Sequence, residues 1–172
     1  MRRTAILLLA ALLLLSFGCG ANGQDDPNAV FIDPNAVRGG EYGALYFEAD
    51  GVRFGIYDEA EPVLSALPAR STFTRGSCAF DTEDVFHTYD SFEIRTNEID
   101  GVARITSISV HDDRIRTPQG LYIGMSEEDA AKAFPELKDA DWNLADGTAL
   151  LSVTFADGVV YGITYTPADT EG

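Results

Sequence analysis

Apolar and polar residues alternate in two neighbouring stretches near the C-terminal end, residues 151–155 and 159–165. This period of two is typical of strands that bury one face. Residues 156–158, Ala-Asp-Gly, separate the stretches and predict a hairpin. A three-residue loop with a glycine bulge would place all apolar residues on one face. It would pair Phe155 with Val159, Val153 with Tyr161 and Leu151 with Ile163.

A related phrase, Asp100-Gly101-Val102, lies between two further strand-like stretches, residues 92–96 and 105–110. It predicts a second hairpin earlier in the chain.

Two stretches of the chain resemble each other. Residues 51–59 align with residues 120–128, with both glycines coincident. A short helix is predicted after each, the first ending near Leu67-Pro68 and the second near Phe134-Pro135. Asp58 and Ser126 are the predicted helix caps. The chain is therefore expected to adopt an α+β fold of two tandem units, residues 41–113 and 114–172. Each unit would pack a short helix on an antiparallel sheet.

The N-terminus has the pattern of an export signal. Arg2 and Arg3 precede an unbroken apolar run, residues 5–15, which is too short to span a bilayer as a helix of about 20 residues. The phrase Leu15-Ser16-Phe17-Gly18-Cys19 resembles a bacterial lipobox, although Ser16 stands where a leucine is usual. The resemblance implies removal of residues 1–18 and acylation of Cys19. Simple cleavage without acylation is the alternative.

Residues 19–40 are rich in Gly, Asn, Asp and Pro and contain the phrase Asp-Pro-Asn-Ala-Val twice. These residues break helices and strands, so a lipid-anchored flexible tether is expected here. A recognition peptide is the alternative interpretation of the doubled phrase.

The excess of acidic over basic residues bears on whether the chain can bind nucleic acid. Lys and Arg number 12 against 28 Asp and Glu, giving a formal net charge of -16. Such a chain repels nucleic acid phosphates, so nucleic acid is excluded as a partner.

The chain contains two cysteines, Cys19 and Cys78. If Cys19 is acylated, Cys78 has no partner within the chain and is expected to be a small buried apolar residue. A disulfide between the two is the alternative, and it excludes acylation of Cys19.

Candidate chemical groups are few. Cys78 and His87 lie near an acidic cluster in the sequence, formed by Asp81, Glu83 and Asp84. If this group of residues has an activity, the activity that their side chains suggest is hydrolysis.

A second acidic stretch, Asp139, Asp141 and Asn143, has the spacing that opens a calcium loop. The sixth and twelfth loop positions are Leu144 and Leu150, where the loop needs Gly and Glu. No catalytic, cofactor-binding or metal-binding residue is therefore assigned, and no cofactor is expected. Some aromatic residues are candidates either for binding anchors or for the core: Tyr42, Tyr46, Tyr57 and Trp142.

The phrase Ile-Gly-Met-Ser-Glu-Glu-Asp-Ala, residues 123–130, resembles the start of the helical segment in BamE (SmpA/OmlA) lipoproteins. It is also similar to the repeats of β-lactamase inhibitory protein. The whole chain resembles uncharacterised lipoproteins of Gram-positive gut bacteria. The first two resemblances imply helices packed on an antiparallel sheet and a task of binding another protein.

The sequence therefore predicts a membrane-anchored lipoprotein on the extracytoplasmic face, acting as a non-enzymatic protein-binding or envelope-assembly module. Two alternatives are an extracytoplasmic hydrolase using Cys78, His87 and the acidic region, and an inhibitor of a secreted enzyme. An inhibitor would be expected to present a concave sheet face lined by aromatic residues.

Overall fold

The computed structural model describes residues 45–168. The predicted signal peptide, residues 1–18, and the predicted tether, residues 19–40, lie outside the described residues. The helices and strands of the described part, in chain order, are β1 (Phe47–Ala49), β2 (Val52–Phe54), α1 (Ala60–Ala66), β3 (Ser71–Gly76), β4 (Glu83–Thr88), β5 (Phe92–Ile99), β6 (Val102–Val110), α2 (Glu127–Ala133), α3 (Pro135–Asp139), β7 (Asn143–Asp146), β8 (Ala149–Ala156) and β9 (Val159–Pro167).

Seven of the strands form one continuous antiparallel sheet in the order β3-β4-β5-β6-β9-β8-β7, and β1 and β2 form a small separate sheet. The predicted α+β fold of two tandem units is therefore wrong, because sheet dominates the structure and both halves share it. The join is the pairing of β6 with β9, which sets Ile108 opposite Tyr165 and Val110 opposite Ile163. These four side chains are buried, so their apolar contact merges the two halves into one sheet.

One face of this sheet carries the core. Its buried side chains pack against the small sheet and the three helices. Phe47 and Phe54 of the small sheet meet Phe92 and Tyr165 of the large one, with ring centroids of Phe47 5.2 Å from Phe92 and 6.0 Å from Tyr165. Ala60 and Val63 of α1, Ala130 of α2 and Leu137 of α3 are buried on the same side.

Three tight Asp-Gly turns close the β1–β2, β5–β6 and β8–β9 hairpins. In each turn both central residues have positive φ, as in Asp100 (52°) with Gly101 (76°) and Asp157 (51°) with Gly158 (76°). A type I′ turn requires this geometry, and Asp-Gly is among its preferred sequences. The predicted hairpin at Asp100-Gly101 is confirmed by the pairing of Ile99 with Val102.

The register of the β8–β9 hairpin differs from the prediction. Ala156 pairs with Val159 and Phe155 with Val160, so the loop has two residues and not three. A bulge between Thr154 and Phe155 then shifts the ladder by one residue. Beyond the bulge Val153 meets Ile163, so the apolar faces match without the longer loop.

Replacing Gly158 tests the turn. We expect Gly158→Val to lower the free energy of unfolding by about 1 kcal/mol or more, since a β-branched residue resists a φ of 76°. Gly76→Val is the matched control, because Gly76 lies in exposed β3 without a positive φ and has no atom within 4 Å of an added Cβ. Urea denaturation compares the two variants. Equal stability of both variants would contradict the left-handed turn.

The two predicted helices occur with ends close to those expected. The first ends at Ala66 with Leu67 as its C-cap, and the second ends at Ala133 with Phe134 as its C-cap. Ser126 caps α2 by accepting a hydrogen bond from the Asp129 amide, as predicted. Asp58 does not cap α1; its carboxylate accepts a hydrogen bond from the Gly55 amide, 2.8 Å away.

The predicted alignment of the two stretches is wrong by two residues. The amide of Tyr57 donates to Ile105 O at 2.7 Å, and that of Gly124 donates to Val160 O at 2.8 Å. Both donors have positive φ, 69° and 88°. Gly124 therefore corresponds to Tyr57 and not to Gly55. A turn followed by a short helix occurs twice, but both copies dock onto the same sheet.

Candidate functional site

The second face of the seven-stranded sheet, which we call the open face, carries no hydrophobic core cluster of the described residues. Burial alternates along the central strands accordingly. Ile108 and Val110 of β6 are buried on the core side, whereas Ser107 and Ser109 between them are partly exposed. Small hydroxyl side chains continue this surface on β8 and β9, among them Ser152 and Thr164, which pair with each other.

An aromatic and basic cluster occupies the end of the open face formed by β3, β4 and β5. Phe73 lies opposite Phe86, with ring centroids 6.1 Å apart, and its side chain is 62% exposed. The guanidinium of Arg75 lies 4.7 Å from the Phe86 ring centroid, within cation–π distance. Arg95 pairs with Phe86 from the other side. We call these four residues, Phe73, Arg75, Phe86 and Arg95, the aromatic–arginine patch.

A buried polar network supports the patch. Asp84, only 3% exposed, accepts a hydrogen bond from the Asn97 side-chain amide at 2.8 Å. The Thr106 hydroxyl in turn donates to Asn97 Oδ1. Arg75 Nε lies 3.5 Å from Asp84 Oδ2. A satisfied network of this kind fixes the side chains that form the base of the open face.

The charge state of Asp84 reflects this network. Burial alone raises the pKa of a carboxyl group. Hydrogen bonds from Asn97 and Ser77 and the positive charges of Arg95 and Arg75 outweigh that effect, and the pKa of Asp84 lies below its ordinary value. Asp84 is therefore ionised at neutral pH, as the charged partner of this network.

Arg95 is the most buried charged group of the patch. Its Nε is buried and makes no hydrogen bond to the described residues. Such a buried donor is uncommon in folded proteins. Arg95 adds a second guanidinium to that of Arg75 around the ionised Asp84.

The residues proposed for a hydrolase do not converge. His87 lies on the core side of β4, where its Nε2 is 3.1 Å from Thr96 Oγ1. Asp84 is three residues away on the same strand and faces the opposite side of the sheet. Burial lowers the pKa of His87, against a smaller effect of Glu93 in the other direction. Asp81 and Glu83 are exposed to solvent.

Cys78 is disulfide-bonded, which removes the thiol that a nucleophile needs. It is the one cysteine among residues 45–168, so its partner is not among the described residues. The chain's other cysteine is Cys19. A disulfide between Cys78 and Cys19 would use the sulfur to which a lipid would be attached. Cys19 can therefore be disulfide-bonded or acylated, but not both.

Residues of the acidic stretch considered for calcium make hydrogen bonds or belong to a helix. Asn143 Oδ1 accepts a hydrogen bond from the Ser152 hydroxyl at 2.7 Å, and its amide donates to Asp141 O. Asp139 is the last residue of α3. Within residues 45–168, no group of three or more His, Cys, Asp or Glu side chains could hold a metal ion.

A cleft of about 620 Å³ lies at one end of the molecule, between the β1–β2 turn, the end of α1 and the β4–β5 turn. Tyr89 stacks on Phe92 within its lining, and the Tyr89 hydroxyl donates to Leu67 O at 2.8 Å. Arg70 is ion-paired with Asp90, and Arg114 donates to Asp90 O. The lining contains no Cys or His.

Sequence reasoning missed the aromatic–arginine patch. It left four aromatic residues open between binding anchors and core: Tyr42, Tyr46, Tyr57 and Trp142. Tyr57 is buried and Trp142 packs edge-on against Phe155, so both belong to the core, whereas Tyr42 lies outside the described residues. The large hydrophobic side chains that are exposed in the described part are Phe73, Val159 and Tyr161. The alternation of residues 71–76, Ser-Thr-Phe-Thr-Arg-Gly, was the available signal for a strand that presents Phe73 and Arg75 on one face.

None of the helices among residues 45–168 is both long enough and apolar enough to cross a membrane. Comparison of the chain with protein-family models, with curated proteins and with solved structures gave no match.

Proposed function

We propose that the chain is an extracytoplasmic, non-enzymatic protein-binding module. The observation that carries the binding proposal is the aromatic–arginine patch on the open face. Aromatic and arginine side chains dominate the binding energy of protein interfaces. Here they stand on a rigid sheet, which keeps the entropic cost of binding low.

The disposition of the polar groups favours binding over catalysis. The acidic side chain nearest the patch is held ionised in a hydrogen-bond network, and His87 faces the other side of the sheet. A surface of this kind can recognise a partner by shape, stacking and charge. It has no pair of groups placed to exchange a proton with a substrate.

The binding proposal is tested by capture from detergent-solubilised membranes with the immobilised chain. We expect Phe73→Ala to reduce the captured partner about tenfold or more, because an aromatic anchor is worth about 2 kcal/mol at the centre of an interface. Tyr161→Ala is the matched control, since Tyr161 is 72% exposed but lies outside the patch. Equal capture by both variants would place the interface elsewhere.

Whether Cys19 carries a lipid or forms the disulfide with Cys78 is tested by fractionation of cells that express the full chain. An acylated Cys19 predicts that Cys19→Ala moves the protein from the membrane to the soluble fraction, whereas the disulfide predicts the same distribution for the wild type and for Cys19→Ala. Two acyl chains hold a protein stably, and loss of the acylated cysteine removes them. The intact mass of the purified wild-type chain is the second readout. An unacylated mass, lighter by two hydrogens than the reduced chain, would show a disulfide and refute the anchor.

A further inference from the structure

The outer strand β3 leaves one edge of the seven-stranded sheet open. It pairs with β4 on one side, and no strand among residues 45–168 pairs with its other side. All six of its residues are exposed. An open edge presents a row of backbone amide and carbonyl groups, which is a template for pairing with another strand.

The two edges of the sheet differ in how well they are protected. The opposite edge, β7, has four residues and ends at Asp146. β3 has six residues, with no proline or lysine, and its pairing with β4 runs from Ser71 to Gly76 without a bulge. Natural edges are usually blocked by short length, charged side chains (above all lysine), proline or a bulge. Of these devices β3 has one charged side chain, that of Arg75, and it is the longer edge, so it is the edge better suited to receive a strand.

The side chains of β3 indicate what that strand would carry. Phe73 and Arg75 lie on the same face because they are two residues apart. An apolar side chain of an added strand would lie about 5 Å from Phe73 on that face. The Arg75 side chain is 59% exposed, and its 3.5 Å separation from Asp84 is long for a charge-assisted hydrogen bond. Arg75 can therefore take a second carboxylate from the added strand.

Charge decides against a second copy of this chain as the occupant. Each copy has a net charge of -16, and like-charged molecules repel at low ionic strength. Locally, the two charges of Arg75 and Arg95 exceed the single charge of Asp84, and this excess favours an acidic segment from a different protein.

We propose that β3 receives an extended segment of a partner protein as an eighth, edge-added strand. The segment carries an apolar side chain against Phe73 and an acidic side chain against Arg75. This inference rests on the proposed binding function and specifies how the partner is held. Backbone hydrogen bonds to the edge supply affinity, and the two side chains supply specificity.

The test is photo-cross-linking of the full chain in cells. Phe73 is replaced by p-benzoylphenylalanine, and Tyr161 is replaced in the same way as the control. We expect a covalent adduct from position 73 that is absent from position 161. Mass spectrometry of the adduct should map to a segment with alternating apolar positions and an acidic residue within two positions of the cross-link.

A synthetic peptide of the mapped segment then tests the geometry. Hydrogen exchange should slow about tenfold or more at the outward-facing amides of β3 and remain unchanged in β7. Arg75→Gln should weaken peptide binding about tenfold, whereas Arg53→Gln should not; the Arg53 side chain is also 59% exposed but lies on β2. A thermal melt of each variant confirms that it folds.

Several outcomes would overturn the proposal. In the cross-linking experiment they are an adduct to this same chain, an adduct to a basic or helical segment, and equal adducts from positions 73 and 161. In the hydrogen-exchange experiment the contradicting outcome is an unchanged exchange rate at the β3 amides. If capture from membranes succeeds while any of these is seen, strand addition fails and the binding function stands. If neither capture nor an adduct is obtained, both fail.

Discussion

Phe47→Ala is expected to lower the free energy of unfolding by about 4 kcal/mol, the largest effect of any single substitution considered. Phe47 is fully buried and contacts three aromatic rings, those of Phe54, Phe92 and Tyr165. Truncation removes the transfer free energy of the ring and leaves a cavity that surrounding rings cannot fill. A domain has a total stability of about 5–15 kcal/mol, so the variant should be close to unfolding.

Phe73→Ala is the matched control for this prediction, because it is the same substitution at an exposed site. We expect it to change the stability by less than about 1 kcal/mol. Urea denaturation monitored by circular dichroism measures both. If the two variants lose the same stability, the small β1–β2 sheet does not cover the core as described.

Asp84→Ala is expected to cost about 3 kcal/mol at pH 7, the second largest effect. It leaves the Asn97 amide and the Arg95 guanidinium without the carboxylate that compensates them. Glu83→Ala is the control on the same strand, since Glu83 is exposed and its side chain takes no part in the network.

The stability provided by Asp84 should depend on pH in one direction. Its pKa is lowered in the folded state, so its contribution is present above the unfolded pKa of about 4 and is lost as the pH falls through the folded pKa. Denaturation at pH 7 and at a series of acidic pH values should show the wild type and Asp84→Ala converging. A constant difference down to pH 2 would contradict the ionised network.

Local features of the fold were predictable because their causes are local. Asp100-Gly101 and Asp157-Gly158 form turns that need positive φ, which the Asp-Gly pair accepts. Ser126 caps a helix with the hydroxyl that its position predicts. The ends of α1 and α2 follow from the prolines next to them, Pro68 and Pro135.

The global features depend on contacts between distant residues, which no local pattern encodes. The pairing of Ile108 with Tyr165 merges the predicted units into one sheet. The bulge at Thr154/Phe155 lets a two-residue turn keep the apolar side chains of both strands on one face. The prediction matched the apolar faces without a bulge and therefore gave a loop of three residues. The aromatic–arginine patch forms because β3 and β4 pair, which places Phe73 beside Phe86.

The central claim is that the open face at β3 is covered by a partner in the cell. Hydroxyl-radical footprinting of the full chain, in intact cells and after purification, tests it most directly. Oxidation of Phe73 should fall several-fold in cells relative to the purified chain, while oxidation of Tyr161 stays the same. Equal oxidation of Phe73 in the two settings would show that this surface faces solvent in the cell, contrary to the account.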